Sequence, residues 1–318
     1  MAVALGIIGL GIMGERLLRA ALNHDQAVIR PVAVWDPAPG AAEKLAAIAP
    51  TLPLLPSAAA VIAACDALYV ASPPSSHLEY AGAAFAAGKS AFLEKPLAAD
   101  LAAARAFVAA HAGQRAAVNF PMASSPAVAQ LSAWRQDLGA PAALSIAVRF
   151  GRWPRGWQQG AASWLAKRAE GGFTREVLSH FLFLTRRQLG PLTLLERDAT
   201  FPPGDGSETA IRARLLAGGV PVEITGDVGR ITEDEANEWR LTCANGSVRL
   251  RNWSIAEKLG PDGFQPSPDA LPNEKMRPMV LQGQLDKVAA LTLGGAQNLA
   301  TLREALEVQE VVEAILGA

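Results

Sequence analysis

A chain of 318 residues, half of them hydrophobic, holds material for two compact domains rather than one. Its 29 lysines and arginines face 30 aspartates and glutamates, a formal charge of -1 with no long run of either sign. That balance excludes a basic nucleic-acid tract and an acidic tail, and it points to a small-molecule partner. The two cysteines, Cys65 and Cys243, lie far apart without a second Cys or a nearby His, so neither a disulfide framework nor a metal site is expected. The apolar start MAVALGIIGLGIMG lacks the basic segment of a secretory signal and runs into Glu15, Arg16 and Arg19, so it reads as folded chain. Charges and prolines interrupt the Ala-rich stretches before a membrane-spanning length is reached, which predicts a soluble, cytoplasmic protein.

Short apolar runs alternate with helical patterns over residues 3–119. VALGIIGL predicts a strand, Ile12 to Leu22 a helix, RPVAVWD a strand and GAAEKLAAIA a helix. The helical SAAAVIAA follows, then the strand DALYVAS, the helix HLEYAGAAFAAG, the strand SAFLE, the helix DLAAARAFVAAHAG and the strand RAAVNF. This alternation predicts an α/β domain over residues 1–119, a doubly wound parallel sheet of Rossmann type with helices on both faces. From about Phe120 the pattern changes. A helix (AVAQLSAWRQDLG) and a strand (AALSIAVRF) lead into a Trp- and Arg-rich stretch and one amphipathic helix. The runs LTLLERDA, ETAIRARLLA, VPVEITGDV, NEWRLTCA and SVRLRNWS then follow, separated by turn signals such as AGG and ANG. Residues 120–318 therefore read as an α+β domain with a mainly antiparallel sheet. Residues 259–278, rich in proline and glycine, read as a long surface loop before two terminal helices.

GLGIMG places Gly9, Gly11 and Gly14 between the first strand and the first helix. Such a turn lets backbone amides and a helix N-terminus approach a pyrophosphate, and its Ile12 and Met13 lie at the cofactor's edge. Asp36 ends the second strand, where a carboxylate accepts hydrogen bonds from the ribose hydroxyls of an adenosine. A 2'-phosphate would be repelled there, and Pro37 and Ala38 offer no arginine to receive it, so NAD is favoured over NADP.

The stretch LEKPL raises a separate question, because Glu94 and Lys95 close an otherwise apolar strand. Ligands of open α/β sheets bind beyond the carboxyl ends of the strands, so both charged heads are expected to project into that crevice without being buried. GLGIMG, ASPPSSHLEYAGAAFAAGKSAFLEKPLA, EGGFTREVLSHF and NLATLREALEVQEVVEAI occur in an order and spacing similar to the glucose-fructose oxidoreductase/inositol dehydrogenase/rhizopine-catabolism (Gfo/Idh/MocA) family. The resemblance runs over essentially the whole chain. It implies that Lys95 reaches the substrate hydroxyl beside the nicotinamide, and that Ser72, Pro73, Glu94 and Lys95 belong to the cofactor site. It also makes the Lys95–Pro96 bond a candidate for cis. His77 matches a recurrent family histidine, for which a structural hydrogen-bonding role is expected.

GGFTREVLSHFLFLTRRQLGP carries helix start and stop signals, with Glu176 and His180 four residues apart on one face, in line with Phe173 and Phe183. The resemblance makes His180 the general base and puts Glu176 where the family has an aspartate, so both join Lys95 as catalytic and substrate-binding candidates. Leu178 stands where the family often has glycine, and Arg175 adds a charge. Trp164 and Lys167, just before the glycine run, are further substrate-contact candidates among the tryptophans and arginines of residues 149–168.

The function implied is NAD(P)-dependent hydride transfer at a secondary alcohol or ketone of a sugar, polyol or sugar acid. A glycosidase that uses transient oxidation by bound NAD, and a non-catalytic ligand sensor, are the alternatives. A homodimer or homotetramer is expected, because few helices remain to cover both faces of the second sheet.

Overall fold

The computed structural model describes residues 2–317, which fall into two compact units, 2–124 with 278–306 and 125–277 with 307–317. The first unit opens with β1 (Val3–Ile8), α1 (Ile12–Leu22), β2 (Ile29–Trp35), α2 (Ala41–Ile48), α3 (Ala58–Ala64) and β3 (Ala67–Val70). It continues with α4 (His77–Ala86), β4 (Ser90–Leu93), α5 (Leu101–Ala110) and β5 (Ala116–Val118). The five strands pair in parallel in the order β2-β1-β3-β4-β5, and a single parallel bridge, Val34 with Leu54, lies beyond β2. Strand order reverses at β1, so the crevice beyond the carboxyl ends of β1 and β3 is where such a sheet takes its ligand. All four residues of β3 and of β4 are buried, as a parallel sheet covered on both faces requires.

The second unit begins with α6 (Pro126–Arg135), β6 (Pro141–Phe150) and the short α7 (Ala162–Leu165). A π-helical turn, Thr174–Leu178, then runs into α8 (Ser179–Leu189). Seven strands follow: β7 (Leu192–Thr200), β8 (Ala210–Ala217), β9 (Val220–Val228), β10 (Glu235–Cys243), β11 (Gly246–Arg251), β12 (Ile255–Gly260) and β13 (Gly263–Pro266). With β6 they form one sheet in the order β13-β12-β11-β10-β6-β9-β8-β7, antiparallel throughout except for the parallel pair β6 and β9. Residues Ser179 to Thr185 of α8 are all buried, and Thr185 Oγ1 accepts a 2.9 Å hydrogen bond from the indole of the fully buried Trp239 in β10. That bond pins the helix to the sheet.

The stretch expected to be a surface loop holds the end of β12, all of β13 and the start of α9 (Asn273–Leu293), which precedes α10 (Leu302–Leu316). Residues 278–306 also return to the first unit, whereas the sequence pattern suggested a single boundary near residue 120. The reason is apolar matching. Leu281, Leu285, Val288 and Ala289 of α9 join Val3, Leu5, Leu17 and Leu18 in one buried cluster. No described helix is long and apolar enough to cross a membrane.

Candidate active site

Within the first unit, the glycine loop follows β1 at the point where strand order reverses. Gly9 has φ +92° and lies so close to the backbone of Ala71 and Ser72 that a Cβ there would sit 2.6 Å from them. A Cβ on Gly14 would lie 1.9 Å from the carbonyl oxygen of Gly9, so the turn and the first helix close on each other only without side chains. Gly11 is different. Apart from its own chain neighbours, nothing lies within 4 Å of the position its Cβ would take, which leaves open space before the N-terminus of α1. Ile12 is exposed and Met13 half-buried beside it. Asp36 grips this loop: its Oδ2 accepts from the amide of Leu10 at 2.6 Å, and its Oδ1 from that of Ala38 at 2.7 Å. A dinucleotide fits these residues, with an open, side-chain-free approach to a helix N-terminus and a carboxylate at the end of the adjacent strand.

Glu94 and Lys95 separate. Glu94 is buried, contrary to the expectation that its head would project into the crevice. Its Oε1 accepts from the Tyr69 hydroxyl and, at 2.6 Å, from Asn119 Nδ2, while Gln284 of α9 donates to Asn119 Oδ1 at 2.5 Å. The apolar strand end tolerates the carboxylate because these donors satisfy it. Burial, and then the charge of Glu94, holds the Tyr69 hydroxyl well above the usual phenol range, so it stays a donor. Lys95 is half-buried, and the Lys95–Pro96 bond is cis. His77 is buried between two loops at the same edge, its ring nitrogens 2.9 Å from the Pro96 carbonyl oxygen and 2.8 Å from that of Ser72. It ties the segment after β3 to the segment after β4, the structural role expected of it. Ser72 Oγ meets Ser76 Oγ at 2.7 Å, and Pro73 is exposed next to it.

In the second unit the glycine run is explained by a carboxylate that the sequence did not single out. Glu208, 1% exposed, lies against Gly172, which has φ +99° and where a Cβ would be 2.1 Å from Glu208 Oε2. Glu208 Oε1 accepts from the Thr174 amide at 2.6 Å and so caps the π-helical turn. Burial pushes the Glu208 carboxyl above the ordinary carboxylate range, against the pull of Thr174 and Arg175. Glu176 is the half-exposed residue in an otherwise buried run, and its amide donates to Gly172 O at 3.1 Å. His180 is 7% exposed in the first turn of α8, and its ring meets that of Trp253 edge-on, with centroids 5.3 Å apart. Glu176 lies within the π-helical turn, a feature often found at functional sites, and His180 just after it.

Arg175 has a structural duty: its guanidinium donates to both carboxylate oxygens of Glu313 at 2.7 and 2.6 Å and to the carbonyls of Arg168 and Gly171. Lys167 is tied to Asp205 at 2.8 Å, with Trp164 37% exposed nearby in sequence. Trp153 packs on Phe150 and Phe173 and donates to Leu165 O at 3.0 Å. Sequence reasoning missed Glu208 and Trp253. Glu208 reads as the opening residue of the strand run ETAIRARLLA, where nothing marks it as buried, but Asn252 in RNWS is a turn signal inside a run that reads as a strand.

Among the described residues, no cluster of His, Cys, Asp and Glu is suited to a metal ion. Residues 3–120 match the family model described as "Oxidoreductase family, NAD-binding Rossmann fold". An inositol 2-dehydrogenase of Cereibacter sphaeroides is 40% identical over 111 residues, 35% of this chain and 33% of the relative. The matched segment thus spans about a third of that curated relative. Over nearly the whole chain the fold is similar to an oxidoreductase from Agrobacterium radiobacter solved with NAD+, L-tartaric acid and magnesium. The two share 19% identity with a TM-score of 0.81, covering 99% of this chain and 95% of that one. A levoglucosan dehydrogenase solved with NADH and levoglucosan has a TM-score of 0.83 at 16% identity, covering 100% of this chain and 96% of the other. With the glycine loop, Asp36 and the Glu-Lys-Pro segment at one parallel sheet, residues 3–120 are similar to the NAD-binding Rossmann fold of that oxidoreductase family.

Proposed function

We propose that this protein is an NAD-dependent dehydrogenase acting on a secondary alcohol of a sugar, polyol or sugar acid. The observation that carries this reading is the carboxyl edge of the parallel sheet, where an open glycine loop braced by Asp36 shares one sheet with Lys95. Bound NAD would supply the hydride acceptor. Asp36 favours NAD over NADP, because its carboxylate repels a 2'-phosphate and no arginine follows it. Lys95 stabilises the alkoxide that develops as the hydride leaves, while Glu94 beneath it stays a buried anchor. His180 takes the hydroxyl proton as general base, and Glu176 orients it. The polyhydroxylated ligands of the relatives support a substrate rich in secondary hydroxyls.

The test is a panel of sugars, inositols and sugar acids followed by NADH absorbance. Lys95→Ala and His180→Ala should each lower kcat by about a hundredfold or more, the scale of a lost acid-base or charge-stabilising group. NAD affinity and melting temperature should change little. Near-normal turnover in either variant, or NADH formation with no member of the panel, would overturn the assignment.

A further inference from the structure

Trp253 occupies the turn between β11 and β12 with φ +74°, directly after Asn252 at φ +46°. Asparagine enters this left-handed region readily and glycine does so freely, but a bulky side chain there is a genuine outlier. The surrounding bonds hold it. Asn252 exchanges two hydrogen bonds with the backbone of Asn237, at 2.9 and 3.0 Å, and the buried Ser254 donates to Leu271 O at 2.8 Å. The indole is fixed as well. Its Nε1 donates to Glu235 Oε1 at 3.2 Å, and the other Glu235 oxygen takes Arg155 at 2.8 Å and Asn237 Nδ2 at 3.0 Å. This frame holds the indole against His180 and Phe181, each with ring centroids 5.3 Å away. The turn itself does not call for tryptophan. Strained backbone that the neighbours over-determine is found preferentially at binding and catalytic sites.

Trp253 is half-buried and His180 only 7% exposed, so Trp253 is the more solvent-accessible of the two residues. A hydroxyl hydrogen-bonded to the imidazole puts its carbon about 4 Å from the ring nitrogen, one hydrogen bond plus one C–O bond away. The rest of a cyclic substrate then comes within van der Waals reach of a group whose centre is 5.3 Å from the same imidazole. We propose that Trp253 is the specificity-determining wall of the His180 site, taking the C–H face of the ring whose hydroxyl His180 deprotonates. The inference rests on the proposed dehydrogenase function and adds to it a residue that selects cyclic over acyclic polyols.

The experiment compares wild type, Trp253→Gly and Trp253→Phe on the ring substrates myo-inositol and D-glucose and the acyclic polyols D-glucitol and D-mannitol. Glycine suits the positive φ, so Trp253→Gly should melt within a few degrees of wild type and bind NAD within about twofold. Its KM for the ring substrate that wild type uses best should rise about tenfold or more, with kcat less affected, and its preference for cyclic over acyclic polyols should collapse. Trp253→Phe, which keeps an aromatic face but loses the bond to Glu235, should retain most of that preference. An unchanged ring KM in Trp253→Gly, a wild type that oxidises acyclic polyols as well as rings, or an activity loss that merely tracks unfolded protein would overturn the inference. Full activity in His180→Ala would instead bring down the functional reading on which it rests.

Discussion

Gly172→Ala tests whether the buried Glu208 builds the site helix. The new methyl would carry φ +99° and stand 2.1 Å from Glu208 Oε2. The backbone conformation alone costs an L-residue about 1–3 kcal/mol. The carboxyl must also move, and it then gives up the amide of Thr174, a fully buried residue that has this carboxylate as its acceptor. An orphaned buried donor costs about 1–3 kcal/mol more. The sum is on the order of 4 kcal/mol, which for a domain of 150 to 250 residues corresponds to roughly 8–16 °C in melting temperature. Urea denaturation and calorimetry on the single variants, Glu208→Ala and the double variant complete a thermodynamic cycle. With the carboxyl absent, Gly172→Ala should cost only the backbone share, so a coupling of about 1–3 kcal/mol is expected between the two positions. A coupling under about 0.5 kcal/mol would show that the glycine is there for the turn alone and that Glu208 does not shape it.

Two further predictions concern the first unit. Asp36→Ala removes both the acceptor for the Leu10 amide and the repulsion of a 2'-phosphate, so fluorescence titration should show the preference for NADH over NADPH falling by about tenfold or more. Tighter NADPH binding by the unmodified protein would contradict the role given to Asp36. Burial holds the pKa of His77 below its ordinary value of 6.5, with the carbonyls of Ser72 and Pro96 opposing the shift. The unfolded chain therefore binds this proton more readily, and stability should fall as pH drops below about 6.5. Melting curves from about pH 7.5 to about pH 5 should slope less steeply in His77→Gln than in wild type, and equal slopes would refute the assignment.

Much of the first unit was legible because its chemistry is local. Each strand of the parallel sheet is a short apolar run, most helices begin near a Gly, Ser or Asp, and the glycine loop and Asp36 lie in one βαβ stretch. The second unit hid what depends on distant contacts. β12 reads poorly as a strand because it carries Glu257 and Lys258, yet Glu257 is buried beneath Arg249 and Arg251 of the neighbouring strand. Pro278 looks like the end of a loop, but it lies inside α9, five residues past the helix start, where the helix continues without that one backbone donor. The stripe Leu281, Leu285, Val288 has helical spacing, but nothing in it says which domain it will cover. The π-helical turn and the positive φ of Trp253 leave no periodic trace at all.

The two candidate motifs share a division of labour that their sequences conceal. In LEKPL two charges stand side by side, and the structure uses them differently. Glu94 is buried under Tyr69 and Asn119, and the segment after it turns outward to expose part of Lys95. In EGGFTREVLSH the same pairing is split across the fold, with Glu208 buried against Gly172 and the half-exposed Glu176 one short turn further on. A buried carboxylate is costly unless donors meet it, and here they are Tyr69 and Asn119 at Glu94 and the Thr174 amide at Glu208. An acidic residue beside a functional motif is then no evidence of proton transfer by itself. The distinction lies in satisfaction: Glu94 has its donors inside the sheet and is buried, whereas Lys95, the other charge of that pair, is only half-buried.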